Sequence, residues 1–183
     1  MSQTILVHLA TGFEEIEAIT IIDVLRRAGL DVRTVSVTGS LMVTGAHQIN
    51  IEADQLFDDS EYKNAAMLIL PGGMPGTTNL MSHAGLTLQL KNFHDQKKWI
   101  GAICAAPMIL GSLGILKGKS AVCYPGFEGK LTDAEVRQTP YAVDGNVITG
   151  RGVGTALEFS IEIVRRLVGE KEASDLATAL VMP

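Results

Sequence analysis

Trp99-Ile100-Gly101-Ala102-Ile103-Cys104-Ala105-Ala106-Pro107 is the stretch around which the chain is organised. It opens as an apolar run of a length that suits a buried strand, stops at a cysteine among small residues, and resumes as a helical pattern. A thiol at a strand-to-helix junction stands above the end of a sheet, where open α/β sheets bind ligands. The first free N–H groups of the following helix, and its dipole, favour thiolate. Ala102, Ala105 and Ala106 leave room for a sharp turn of the nucleophile-elbow kind. Free cysteine is also among the most buried residue types, so an inert core role stands beside the reactive one.

Outward from this junction, strand and helix alternate. Strands are expected at Ile5–Leu9, Val32–Val37, Ala66–Leu70, the run ending at Cys104, and Ala121–Tyr124. Helices are expected at Glu14–Ala28, stopped by Gly29, at Leu86–Lys97, after Cys104 as far as Gly111–Gly114, at Thr155–Val168 and at Lys171–Val181. Leu41–Ala53 suits a short excursion or hairpin. Tyr141–Val143 and Val147–Thr149 flank Asp144-Gly145-Asn146, a hairpin signal. The alternation implies an α/β fold with a mainly parallel sheet covered on both faces, in a single domain spanning 1–183.

Composition narrows the function. With 46% hydrophobic and 19% charged residues, the chain has the make-up of a compact globular protein. Its net charge is −5 and no basic cluster exceeds a pair, which disfavours a nucleic-acid partner. The apolar run within Met1–Ala10 lacks a basic leader and is too short for a signal or membrane segment. A cytoplasmic setting without a membrane partner is therefore expected. Two cysteines, Cys104 and Cys123, make neither a disulfide framework nor a metal cluster, and His8, His47, His83 and His94 lack metal spacing. No metal is expected. Gly114–Ser120 and Gly150–Gly154 imitate nucleotide loops, but their glycine spacings are wrong. Cys123 alternates with Tyr124 on its expected strand and reads as core.

The first helix carries a further clue. At about 100° per residue, Glu17 falls on the stripe of Thr20, Ile21, Val24 and Ala28, with Glu15, Asp23, Arg26 and Arg27 on the opposite, solvated side. A carboxylate in a buried arc is costly unless it is neutral or paired, and such groups serve as proton donors. The alternative is a Glu near the helix start that turns outward or helps to cap it, as Glu14 is placed to do. Leu70-Pro71-Gly72-Gly73 leaves a strand at the sheet edge that would also carry Cys104. Adjacent glycines there let backbone N–H groups converge on an anion, although Gly-Gly also ends ordinary strands.

Gly12–Ala18, Arg26–Gly29, Leu70–Gly73, the cysteine junction and Arg151-Gly152-Val153-Gly154-Thr155 together resemble the ThiJ/PfpI superfamily, in its branch with Parkinson disease protein seven and bacterial ThiJ-like proteins. The resemblance covers nearly the whole chain. It implies a flavodoxin-like three-layer sandwich, a homodimer, and no cofactor. It makes Cys104 the nucleophile and Glu17 its protonated partner. Gly72 lies in the matching glycine turn, and Gly73 and Ala105 supply backbone donors around a reacting oxygen. Arg151 matches an arginine near the family's anion site, with a structural role holding the last loop equally open. Tyr124 stands where relatives often carry a histidine; a phenol is a poor base at neutral pH but can donate a hydrogen bond.

The implied activity is a cysteine-dependent glyoxalase or protein deglycase, acting without glutathione on methylglyoxal or on aldehyde adducts of proteins. A redox-sensing stress protein or chaperone, in which Cys104 is oxidised, is the alternative. Labels of thiazole-monophosphate biosynthesis and of a peptidase also occur among relatives, and no cysteine–histidine pair is evident for the latter.

Overall fold

The structure is a computed structural model that describes residues 4–182, so residues 1–3 and 183 of the expected domain lie outside the described residues. Along the chain, β1 (Thr4–Leu9), α1 (Glu15–Arg27) and β2 (Asp31–Ser36) form a first βαβ unit. A hairpin follows, β3 (Met42–Thr44) with β4 (Asn50–Glu52), then the short β5 (Gln55–Leu56). After two single 3₁₀ turns come β6 (Ala65–Leu70), α2 (Gly76–Ser82), α3 (Ala84–Asp95), β7 (Trp99–Ile103) and α4 (Pro107–Ser112). The rest comprises β8 (Ser120–Ala121), β9 (Glu135–Val136), β10 (Tyr141–Asp144), β11 (Val147–Gly150), α5 (Ala156–Leu167) and α6 (Glu170–Ala179).

Seven strands make one sheet in the order β10-β11-β7-β6-β1-β2-β5. All neighbours run parallel except β10 and β11, which form the antiparallel hairpin around Gly145. Strands buried on both faces read as continuous apolar runs, and Ala65–Leu70 and Trp99–Ile103 are of that kind. One face packs Ile21, Val24 and Leu25 of α1 with Phe159, Ile163 and Val164 of α5. The other packs Leu86, Leu90 and Phe93 of α3 with Ile109 and Leu110 of α4. The fold is thus a flavodoxin-like α/β sandwich. None of the described helices is long and apolar enough to cross a membrane.

The sheet order reverses between β1 and β6. From β1 the chain winds outward through β2 to β5, then returns to build β6, β7 and β11 on the other side. Such a switch point leaves a crevice at the carboxyl ends of the strands, the usual place for a ligand in this architecture. The loops after β1, β6 and β7 all emerge there.

Three local readings are corrected. The strand expected at Ala121–Tyr124 is only Ser120–Ala121, and it pairs with β9 in a separate two-stranded sheet. Val122 and Tyr124 instead donate their N–H groups to Thr149 Oγ1 and to the Cys104 carbonyl, which draws them out of a ladder and over the cysteine. Glu15, assigned by helical phase to solvent, is buried, because the hairpin loop folds over it and supplies hydrogen bonds. Helix α2 was not foreseen; seven residues opening with Gly-Thr-Thr carry too little apolar periodicity to announce it.

Gly101 and Gly150, on adjacent strands, form a notch for the fully buried ring of Phe159: a Cβ at Gly150 would come within 2.8 Å of it. Phe159→Ala should cost roughly 3–5 kcal/mol, the range for an emptied aromatic site. Urea unfolding of the two proteins measures it; a loss below about 1 kcal/mol would show that the notch closes over the gap.

Candidate active site

Cys104 directly follows β7 and has φ of 65°, in the left-handed region that non-glycine residues rarely occupy. Strain of this kind persists where the surroundings over-determine it. Here the Cys104 N–H donates to the Gly150 carbonyl at 3.0 Å, and the Cys104 carbonyl accepts from Tyr124 N–H at 2.8 Å. The turn lifts the thiol into the crevice, where it is half-buried, while Cys123 is buried.

Gly72 brings the other half of the site to the sulfur. Its N–H donates to Glu17 Oε2 at 2.8 Å, and its carbonyl accepts from Glu14 N–H at 2.9 Å, so the turn after β6 is bound twice to the start of α1. A Cβ at this position would lie 2.6 Å from Cys104 Cβ and 2.8 Å from Glu17 Oε2. Only glycine lets strand, helix and thiol approach so closely. Because the Gly72 N–H is spent on the carboxyl, it is not free for an oxyanion. The backbone N–H groups of Gly73 and Ala105 favour negative charge on the sulfur.

Glu17 is fully buried. Beyond Gly72, its polar neighbour is the Cys104 thiol, and Oε1 has no hydrogen-bond partner among the described residues. Burial, with the nearby charge of Glu14, pushes the carboxyl up to about 7, against the lowering effects of Cys104 and Gly72. Burial also pushes the Cys104 thiol well above its ordinary range, and the Glu17 charge pushes it further; Ala105 and Gly73 oppose this. Burial and the Glu17 charge thus oppose the thiolate that a helix dipole favours. Helix α4 is only six residues long and starts three residues beyond the sulfur, too short and too distant to outweigh burial and a carboxylate.

Two further residues take different places. Tyr124 is 48% exposed, its ring edge-on to Phe127, and a Cβ at Gly152 would lie 3.2 Å from that ring and 3.9 Å from Cys104 Sγ. Tyr124 and Gly152 thus line the open side of the thiol. Nothing about Gly152 in the sequence distinguished it from the other glycines of its loop. Arg151 turns away: its guanidinium donates to the Gln138 carbonyl at 2.9 Å and its N–H to the Pro140 carbonyl, which ties down the loop before β10.

The arrangement is a half-buried thiol beside a buried carboxyl, with the Gly72 N–H bound to that carboxyl. Residues 3–166 match the DJ-1/PfpI family. The chain is 39% identical to Protein DJ-1 homolog B of Arabidopsis thaliana, over 97% of this chain and 41% of that protein, so it spans about two fifths of that relative. It is 32% identical to the glutathione-independent glyoxalase DJR-1.2 of Caenorhabditis elegans, over 92% of this chain and 90% of that one. The solved structure of oxidized Toxoplasma gondii DJ-1 superposes with a TM-score of 0.94 at 34% identity, covering 98% of each chain.

An acid whose folded-state pKa is raised binds its proton more tightly when folded. The stability linked to Glu17 is thus full below about 4.5 and is lost as pH rises through about 7. Between pH 5 and pH 8 the wild type should lose up to about 3 kcal/mol relative to Glu17→Gln, which has no such proton to release. Parallel urea midpoints for the two proteins across that interval would show that Glu17 titrates normally.

Proposed function

Because the chain belongs to the DJ-1/PfpI family, we propose that it is a cysteine-dependent glyoxalase that converts methylglyoxal to lactate without glutathione. The same thiol addition would serve early glyoxal adducts on proteins. The observation that carries this reading is the buried Glu17 carboxyl beside the Cys104 thiol, held in place by Gly72 and poised near neutrality. A proton-transfer group works best with a pKa near the working pH. The family relative named as a glutathione-independent glyoxalase supports the direction.

In the proposed reaction, ionised Glu17 takes the thiol proton as sulfur adds to the aldehyde carbon, then passes that proton to the new oxyanion, which gives a hemithioacetal and returns Glu17 to its ionised form. The N–H groups of Gly73 and Ala105, which favour negative charge on the sulfur, would stabilise the oxyanion. Glu17 then removes the proton from the former aldehyde carbon and returns one to the neighbouring ketone carbon. The first carbon is thereby oxidised to a thioester and the second reduced to an alcohol. Water cleaves the thioester, releasing lactate and the free thiol, so methylglyoxal and one water give one lactic acid. No histidine is needed, which suits a site where Tyr124 and the sulfur flank Gly152. The phenol is placed on the open side to donate a hydrogen bond to the substrate's ketone.

The partner is a second copy of the chain. Ile16 and Ile19 of α1 and Met42 and Ile49 of the adjoining hairpin are large apolar side chains left exposed on two elements bound together through Gly12, Phe13 and Glu15. A second reading rests on the half-buried state of Cys104: a neutral Glu17 beside it can donate a hydrogen bond to a sulfinate, the chemistry of a redox sensor.

Lactate formation from methylglyoxal, without glutathione, decides between the readings. Cys104→Ser should abolish turnover, and Glu17→Gln should lower kcat by about 10²–10⁴, the range for general acid–base catalysis. Unchanged turnover in Glu17→Gln would overturn the mechanism. No turnover in wild type with a reduced thiol would favour the sensor. Light scattering tests the assembly: the wild type should be a dimer, and Ile16→Asp combined with Ile19→Asp should give monomer.

A further inference from the structure

Outside the thiol crevice, one cluster of ligating side chains is assembled from two distant parts of the chain. Glu14 and Glu15 open α1, and His47 lies on the loop joining β3 to β4. One atom from each of the three lies within 4.8 Å of both others. His47 Nδ1 is 2.9 Å from Glu15 Oε2 and 3.7 Å from Glu14 Oε2. We infer that Glu14, Glu15 and His47 form a binding site for a divalent transition-metal cation of the Zn²⁺ class. The sequence spacing concealed it, because 32 residues separate Glu15 from His47.

The geometry suits a tetrahedral ion. With ligand bonds of 2.0–2.1 Å, neighbouring donor atoms in a tetrahedron stand about 3.3 Å apart. The two measured separations from Nδ1 bracket that value, so small side-chain adjustments suffice. The site is also organised in advance. Glu15 is buried, and its Oε1 accepts from His47 N–H at 2.6 Å and Ile49 N–H at 3.4 Å. Gly45 leaves the room this carboxylate occupies; a side chain there would collide with it. One oxygen is therefore fixed by backbone and the other is presented towards the imidazole. Hydrogen-bonded carboxylates of this kind are the usual outer support of metal ligands.

Charge and donor type select the ion. Two carboxylates and a neutral imidazole balance a double positive charge. A nitrogen donor favours Zn²⁺, Ni²⁺ or Cu²⁺ over Mg²⁺ and Ca²⁺, which prefer oxygen alone. In the metal-free protein His47 and Glu15 share a proton. On binding, the Nδ1–H bond breaks, a nitrogen–metal bond forms and the proton leaves to solvent. The His47 side chain is 69% exposed in the single chain, so the fourth position is left to water or, in the proposed dimer, to the partner subunit. Filling the site cross-links the hairpin to the first turn of α1, three residues before Glu17.

Calorimetric titration of ZnCl₂ into the reduced full chain tests this, in a Cys104→Ser background so that the thiol cannot act as a competing ligand. One Zn²⁺ per chain should bind, with no comparable heat from Mg²⁺. His47→Ala and Glu14→Gln, neither of which removes the buried Glu15, should each weaken Zn²⁺ by about tenfold or more, at least the loss seen when only an outer-shell partner is removed. A thermal midpoint close to that of the parent would show that these variants are folded. Zn²⁺ binding as tight in His47→Ala as in its parent would overturn the inference. So would binding that is present in wild type and absent in Cys104→Ser, since that would place the ion on the thiol.

Discussion

The close approach of Gly72 to α1 is the constraint on which the site depends. Its N–H and carbonyl are both consumed by the start of that helix, through Glu17 and the Glu14 backbone, and its missing side chain is the space that Cys104 and Glu17 share. Gly73 and Gly76 make the same kind of approach to the Gly12–Glu14 loop. Three loops that leave β1, β6 and β7 are thereby locked together at the point where the sheet reverses direction. A carboxyl trapped in that junction has little water to solvate a charge, and its tendency to hold a proton follows from the packing.

That proton governs the reactivity of the sulfur. A thiol pushed upward by burial and by a neighbouring carboxylate is a weak nucleophile while it waits. In the proposed reaction the carboxylate accepts the proton as the bond forms, so the two groups would act as a unit. The strained backbone at Cys104 contributes by placing the sulfur where Gly73 and Ala105 can reach it. Tyr124 and Gly152 lie on the open side, and the Arg151 guanidinium is bound to the neighbouring loop at the Gln138 carbonyl.

Much of this was legible in the residues themselves. The apolar runs at Ala65–Leu70 and Trp99–Ile103, the Gly29 stop and the Asp144–Asn146 turn each announce their element through local chemistry, and the parallel sheet follows from their alternation. Glu17 stood out because it broke the apolar stripe of its helix. Partnerships made across the fold were hidden. Glu15 is buried by a hairpin loop that helical phase alone does not foresee, and Tyr124 leaves its strand to hydrogen-bond Cys104. The acidity of the thiol was hidden for the same reason, since it depends on how much protein surrounds the sulfur and on a carboxylate 87 positions earlier.

Residues 17, 72, 104 and 152 meet only after the parallel strands have paired on both sides of β1, and contacts of such long sequence separation form slowly. Until then, Cys104 belongs to an open chain, where its acidity is that of a free thiol and no carboxyl restrains it. Folding thus partly encloses this sulfur, so molecules reach it by way of the crevice. Before the last helices close over the sheet, nothing in the fold limits access to the cysteine.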